Sequence, residues 1–175
     1  MFSKLKNYQK GFTLMEALIA IAILVIAITG ATTLASQSLR TASYFKQQTV
    51  AFYLASEALE YIRNSRDTHL LAGNEWDNWK TSAMSLCYNG NDCGVDAIFE
   101  YTDGNAFIDD CSNSNLLYDS NNLYNYQSGS ATAFERCVYI RPIDSYEVEV
   151  EVKVEWSGLF GNKVVRIKEH FFDWQ

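Results

Sequence analysis

The sequence predicts an α+β fold, with a long N-terminal helix whose second half packs on a C-terminal antiparallel sheet. Three observations carry that expectation. No charged residue falls between Glu16 and Arg40, and residues 17–28 read ALIAIAILVIAI. Ala51, Leu54, Ala55, Ala58 and Ile62 then recur at helical spacing. Finally, the period changes to two in YEVEVEVKVEW at 146–156.

The apolar run comes first. The uncharged stretch 17–39 would form a helix of roughly 35 Å, enough to cross a bilayer. Lys4, Lys6 and Lys10 precede it, which places the N-terminus in the cytoplasm and the rest of the chain outside. An ordinary secretory signal also opens with a basic stretch and an apolar run, and is then cut at a small-x-small site. Thr33-Leu34-Ala35 offers one, with a product beginning near Ser36. Glu16 at the head of the run argues against that reading, as does the helical pattern beyond Ala35.

The carboxylate of Glu16 has a physical cost. Near the membrane end of an apolar helix it is expensive unless paired, by roughly 2–3 kcal/mol at mid-bilayer and less near the interface. Two outcomes satisfy it: snorkelling to headgroup water, or pairing with a cation such as a neighbour's α-amino group.

The string GFTLMEALIAIAIL (11–24) resembles the prepilin processing motif of type IV pilins and type II secretion pseudopilins. The resemblance implies cleavage between Gly11 and Phe12 by a membrane aspartic peptidase acting on the cytoplasmic side, with N-methylation of Phe12. It implies that Glu16 pairs with the amine of a neighbouring subunit and sets the axial register of a helical bundle. The partners implied are prepilin peptidase, an inner-membrane platform protein, an assembly ATPase acting through that platform, and other pilin subunits. The apolar helix would sit in the inner membrane before assembly and in a filament core afterwards. A second stretch, LASEALEYIRNSRDTHLLAGNEWDNW (54–79), resembles the helix end and following loop of pilin-like proteins. The alternating strand and the final FFDW resemble their C-terminal sheet.

The chain then divides into a leader (1–11), a long helix (12–66), a loop-rich variable region (67–133) and a β-meander (134–175). Within the helix, Gly30 and Thr29, Thr32 and Thr33 lower helix propensity. They mark either a segment that unwinds in a filament or a place where helices pack closely. Glu57, Glu60, Arg63 and Asp67 lie largely off the apolar face, with Glu60 and Arg63 at ion-pair spacing. In the loop-rich region Asn89-Gly90, Asp103-Gly104 and 119–122 signal turns, with short strands between them. FERCVYIRPI (134–143) reads as a strand ended near Pro142. In the next strand Tyr146, Val148, Val150, Val152, Val154 and Trp156 face one way, with Glu147, Glu149, Glu151, Lys153 and Glu155 on the other. SGLFGN (157–162) turns the chain, and KVVRIKEHFFDW brings Arg166 and Lys168 across from the glutamates. The acidic stripe reads as a solvated sheet face ahead of a docking surface.

Four cysteines, Cys87, Cys93, Cys111 and Cys137, behind an export-type N-terminus fit disulfides. Cys87 and Cys93 are near enough to close a small loop and leave Cys111 to Cys137, with two other connectivities open. Zinc is disfavoured because no C-x-x-C pair occurs and no histidine adjoins a cysteine pair. Asp92, Asp96, Asp103, Asp109, Asp110 and Asp119 lack EF-hand spacing and read as solvated loop carboxylates, leaving no metal expected.

The net charge is −7, and without the first eleven residues 11 basic face 21 acidic residues, a formal −10. That balance argues against direct nucleic-acid binding. No phosphate loop, H-E-x-x-H or G-x-S-x-G occurs. His69, expected in a loop, and His170, expected in a strand, are far apart. No enzyme and no cofactor are expected. The function implied is a structural subunit that polymerises. Its 164-residue processed length and a proline-free apolar helix incline toward a minor pilin or pseudopilin over a major pilin. The alternative is a single-pass anchored, extracytoplasmic binding protein that does not polymerise.

Overall fold

A computed structural model describes residues 11–99, 107–109, 111, 114–158 and 161–174. The side chains of Ile108 and Asp109 lie outside that description, as do Asp103, Asp110 and the leader lysines. The fold is a long N-terminal helix, α1 (Leu14–Leu71), with a C-terminal antiparallel sheet packed on it. Chain contacts divide the molecule into two units, Met1–Ser43 and Tyr44–Gln175.

In the first unit the described chain is the opening of α1. Apart from Ala17, which is half-buried, every residue from Gly11 to Ser43 is exposed. Ile19, Ile23 and Ile26 are 53 %, 63 % and 71 % exposed, so the apolar surface circles the whole helix. A helix apolar all round requires an apolar surrounding. Gly30 lies within unbroken helix. The hydroxyls of Thr29, Thr32 and Thr33 donate to the carbonyls of Val25, Ile28 and Thr29 at 2.8, 3.0 and 2.8 Å. Each polar side chain is thereby satisfied within the helix, the condition for entering a bilayer.

In the second unit α1 continues to Leu71, beyond the expected end at 66, because no breaker precedes Gly73. That glycine takes φ +80°, and its N–H closes on the Leu70 carbonyl at 2.8 Å, the left-handed stop that glycine adopts without a Cβ penalty. His69 therefore lies in the last helical turn, where a loop had been expected. Ala51, Leu54, Ala55, Ala58 and Ile62 are all buried, and Leu59 and Leu70 join them. The three alanines are fully buried in the same core as the sheet's valines.

That sheet is built around β5 (Ser130–Pro142). On one side β5 pairs antiparallel with β6 (Glu147–Gly158), from Phe134 opposite Trp156 to Pro142 opposite Val148. β6 pairs in turn with β7 (Gly161–Phe172), from Glu147 opposite Phe172 to Gly158 opposite Gly161. On its other side β5 is shared. Its start pairs with β3 (Asn115–Tyr118), and its far half with β1 (Asp92–Val95). β2 (Phe107–Asp109) extends β1, and β4 (Tyr124–Asn125) extends β3. The loop-rich region thus supplies four short strands to the sheet.

Val148, Val150, Val152 and Val154 are fully buried against α1, each contributing on the order of 1.5 kcal/mol. Tyr146 departs from this pattern. It precedes the strand and is 68 % exposed, because its N–H donates to Asp144 Oδ1 in the β5–β6 turn at 2.7 Å. Trp76 stacks on Trp79 at 5.0 Å and Trp79 on Phe171 at 6.3 Å, closing the core beyond the end of α1. Disulfides join Cys87 to Cys93 and Cys111 to Cys137, which selects one of three connectivities. The Cys111 and Cys137 sulfurs lie beside the Asp92 carboxylate and are joined in the second bridge, so neither offers a thiolate.

Among the described residues Lys80, Asp96, Arg136 and Glu151 are buried charged residues, and two of them, Asp96 and Arg136, have no exposed surface. Asp96 is fully buried and accepts the Tyr126 N–H at 3.0 Å, which corrects its reading as a solvated loop carboxylate. Asp119 is exposed and organises its turn, accepting the N–H groups of Asn121 and Leu123, both at 2.9 Å. The Leu123 N–H in particular holds its carboxyl below the usual carboxylate range. Arg136 sits on the inner face of β5, between Phe134 and Val138, and is 0 % exposed. Its guanidinium donates to Glu57 Oε2 at 2.6 Å, to the Leu54 carbonyl at 3.0 Å and to the Val95 carbonyl at 2.5 Å. One side chain therefore ties helix, central strand and β1 together.

Glu57 keeps 44 % of its side chain exposed while Arg136 keeps none, so it is the loss of Glu57 that strands a buried charge. Glu57→Ala is expected to lower stability by about 3 kcal/mol, read as a lower denaturant midpoint with an unchanged slope. A loss below about 1 kcal/mol would mean that the clamp is dispensable.

Candidate functional site

Helix α1 begins at Leu14, and Thr13 is its cap. The Glu16 N–H donates to Thr13 Oγ1 at 3.3 Å and to the Thr13 carbonyl at 3.1 Å, and the Ala17 N–H donates to that carbonyl at 3.2 Å. Thr13-Leu14-Met15-Glu16 is the T-x-x-E pattern of a helix start. A carboxylate in the first turn also faces the positive end of the helix dipole, a favourable placement worth typically 0.3–1 kcal/mol. Local structure therefore gives Glu16 a role in starting the helix. The cap was legible in the sequence as a Thr three residues before a Glu at the head of an apolar run, and it had not been read.

Around this start the chain is open. Phe12 is 76 % exposed, and a Cβ built on Gly11 would meet nothing within 4 Å. The Gly11–Phe12 peptide thus lies in exposed chain outside regular structure, immediately before the cap. The Glu16 side chain is exposed and makes no ion pair among the described residues. Gly11, Phe12 and Glu16 fall within six consecutive residues, followed by an exposed apolar helix. The arrangement suits recognition of the exposed segment, and then burial of the helix in an apolar surrounding.

The outer face of the sheet is the second surface with organised chemistry. The glutamates of β6 are not a free acidic stripe. Glu151 is only 6 % exposed, because long basic side chains from both neighbouring strands fold over it. Arg141 of β5 reaches Glu149 and Glu151 at 2.7 and 2.8 Å. Lys168 of β7 reaches the same two at 3.0 and 3.1 Å, and Arg166 reaches Glu151 at 3.4 Å. His170 Nδ1 lies 2.5 Å from Glu147 Oε1, and Lys153 lies 2.9 Å from Glu155. The expected solvated face is therefore an ion-pair lattice, with cations supplied from the strands on either side of β6 and, at Lys153, from β6 itself. His69 and His170 lie on different elements, with His170 committed to this lattice.

The lattice sets the titration of its members. The Lys168 hydrogen bond, seconded by that of Arg141, holds Glu149 below the ordinary carboxylate range. For Glu151 burial pushes upward, and the bonds from Lys168 and Arg141 outweigh it, so its carboxyl is also lowered. Both groups are thus more acidic folded than unfolded. Their contribution is complete above the ordinary glutamate value of 4.5 and is lost as pH falls through the lower folded values. The denaturation midpoint should therefore drop as pH is lowered from about 5 toward 3, and a Glu149→Gln, Glu151→Gln double variant should show a shallower drop. Equal pH slopes in the two proteins would rule the lattice out as the cause.

Residues 6–32 match the family model of the prokaryotic N-terminal methylation motif. No curated protein and no solved structure matches the chain.

Proposed function

We propose, from the premise that this is a prepilin-type, pilin-like protein, that it is a structural subunit of a type IV pilus or a related filament, in a minor-pilin or pseudopilin-like role. The observation that carries the reading is the methylation motif standing at the head of an exposed, fully apolar helix. The motif implies a precursor processed by prepilin peptidase and assembled with other pilins. The work of such a protein is polymerisation, and the pilin-like family is structural rather than catalytic.

In this reading the peptidase cuts Gly11–Phe12 on the cytoplasmic side, and Phe12 becomes the methylated N-terminus. The apolar half of α1 anchors the subunit in the inner membrane, N-terminus inward. The sheet-bearing unit lies outside the cytoplasm, which agrees with two disulfides and the compartments where such bonds persist. Extraction from the membrane by the platform protein, driven by the assembly ATPase, transfers the apolar surface from lipid to neighbouring helices. Glu16 then pairs with the Phe12 amine of an adjacent subunit. Apolar contacts alone leave sliding along the axis almost free, and one buried ion pair fixes it. The proline-free apolar run supports the minor or pseudopilin-like role.

Mass spectrometry of the protein from its own envelope is expected to find a chain beginning at N-methylated Phe12. An intact Met1 would support an anchored binding protein that does not polymerise, and a start near Ser36 would support a secreted one. Glu16→Ala is expected to be cleaved normally and yet be missing from sheared filaments. Full incorporation of that variant would remove the register role and leave only the helix-start role described above.

A further inference from the structure

The sheet sorts the two disulfides by face. Side chains alternate along β5, so Phe134, Arg136, Val138 and Ile140 lie on the inner face and Cys137 and Tyr139 on the outer. β1 sets Cys93 opposite Val138 and Asp92 opposite Tyr139, and directly opposed residues share a face. Cys93 and its partner Cys87 therefore belong to the core, whereas Asp92 stands with Cys137 on the other side. Cys111 reaches that side shortly after β2, whose pairing sets Asp109 opposite Cys93.

On the outer face a carboxylate touches the bridge. Asp92 Oδ2 lies 3.2 Å from Cys111 Sγ, and a carboxylate oxygen and both sulfurs lie within 4.8 Å of one another. A bridged sulfur has no proton to donate, so the contact sets a negative charge against sulfur without a hydrogen bond. The cation opposite Cys137 on β6 is Lys153, and it pairs with Glu155 at 2.9 Å. The charge in contact with the bridge is the carboxylate.

That charge bears on how the bridge can be opened. A thiolate attacks one sulfur of a disulfide, and the other leaves as a thiolate. Cys137 is 5 % exposed and Cys111 not at all, so Cys137 is the sulfur within reach. Attack there joins the reductant's sulfur to Cys137 Sγ and breaks the Cys111–Cys137 bond. The electron pair of that bond stays on Cys111 Sγ, a second negative charge beside Asp92. Attack on Cys111 would instead press the incoming thiolate against the same carboxylate. Like charges in contact disfavour the ionised form, and a sulfur that resists becoming a thiolate leaves slowly. Both routes meet one obstacle.

We propose that Asp92 is a charge guard that keeps the Cys111–Cys137 bridge closed against anionic thiol reductants. The bridge ties the loop-rich region to the central strand, and the guard preserves that tie where small thiols reach the outer face of the sheet. The proposal is independent of the filament reading, since it concerns the sheet and not the apolar part of α1.

The test uses the oxidised full chain in detergent micelles, with excess dithiothreitol at a mildly alkaline pH where the reagent is partly thiolate. Samples are quenched by acid and alkylated, and the opening of each bridge is followed by mass spectrometry of its peptides. Asp92→Asn keeps the shape and removes the charge. It is expected to open Cys111–Cys137 about tenfold faster and to leave the opening of Cys87–Cys93 unchanged. Asp92→Glu restores the charge and should bring the rate back toward that of the native chain. Equal rates in the native and Asp92→Asn chains would overturn the proposal. So would equal acceleration of both bridges, the mark of a carboxylate that acts only through the stability of the fold. An Asp92→Glu chain as labile as Asp92→Asn would overturn it too, since charge would then be irrelevant.

Discussion

Arg136 is the constraint on which the second unit turns. A guanidinium with no exposed surface is costly unless its donors are met; among the described residues Nη1 and Nη2 are met by groups of two other elements, and the Nε–H finds no acceptor. The Leu54 carbonyl and Glu57 carboxylate belong to α1, the Val95 carbonyl to β1, and the arginine itself to β5. Valines packing on alanines supply most of the stabilisation but specify position loosely, because apolar contact has no direction. The arginine adds direction. It fixes which turn of the helix faces which residue of the central strand. It also holds the end of β1 where the Cys87–Cys93 bridge and β2 can form.

Much of this was legible in the sequence where one period ran undisturbed. The apolar run, the helical repeat from Ala51 to Ile62 and the valines of β6 each repeat a single rule over many residues. What escaped were interactions between distant parts. Arg136 stands 82, 79 and 41 residues from its three partners, although a lone arginine in phase with Phe134 and Val138 was itself a sign of a buried charge. Asp96 looked like one more loop acid because Tyr126, 30 residues on, supplies its donor. Glu151 looked solvated because the residues that cover it come from neighbouring strands. At the candidate site the reverse held. Gly11, Phe12 and Glu16 are close in sequence, so a local motif sufficed to find them, while the capping role of Thr13 was hidden by the attention Glu16 drew.

The two units place opposite demands on one helix. Its first half must present apolar side chains on every side and hide its threonine hydroxyls against its own backbone. Its second half must carry a narrow apolar face, with Glu57, Glu60 and Arg63 beside it. Arg63 is paired both with Glu60 in the same helix and with Glu169 of β7, so even the polar side of this half is tied to the sheet. Sequence composition changes where the solvent requirement changes, near the boundary between the two units at Ser43.

The placement of the disulfides has a consequence for how the chain can evolve. Each bridge begins or ends in the stretch between the helix and β5, and each is anchored in the sheet, through Cys93 in β1 or Cys137 in β5. Between those anchors, insertions change the closure entropy only logarithmically with length. Substitutions there that spare Val95 and Arg136 leave the bonds of the arginine clamp and the valine face in place. The molecule thus separates a segment free to diversify from a scaffold that is not. A lineage can remodel the surface between the staples, under pressure from a host or a competitor, without having to rediscover the fold.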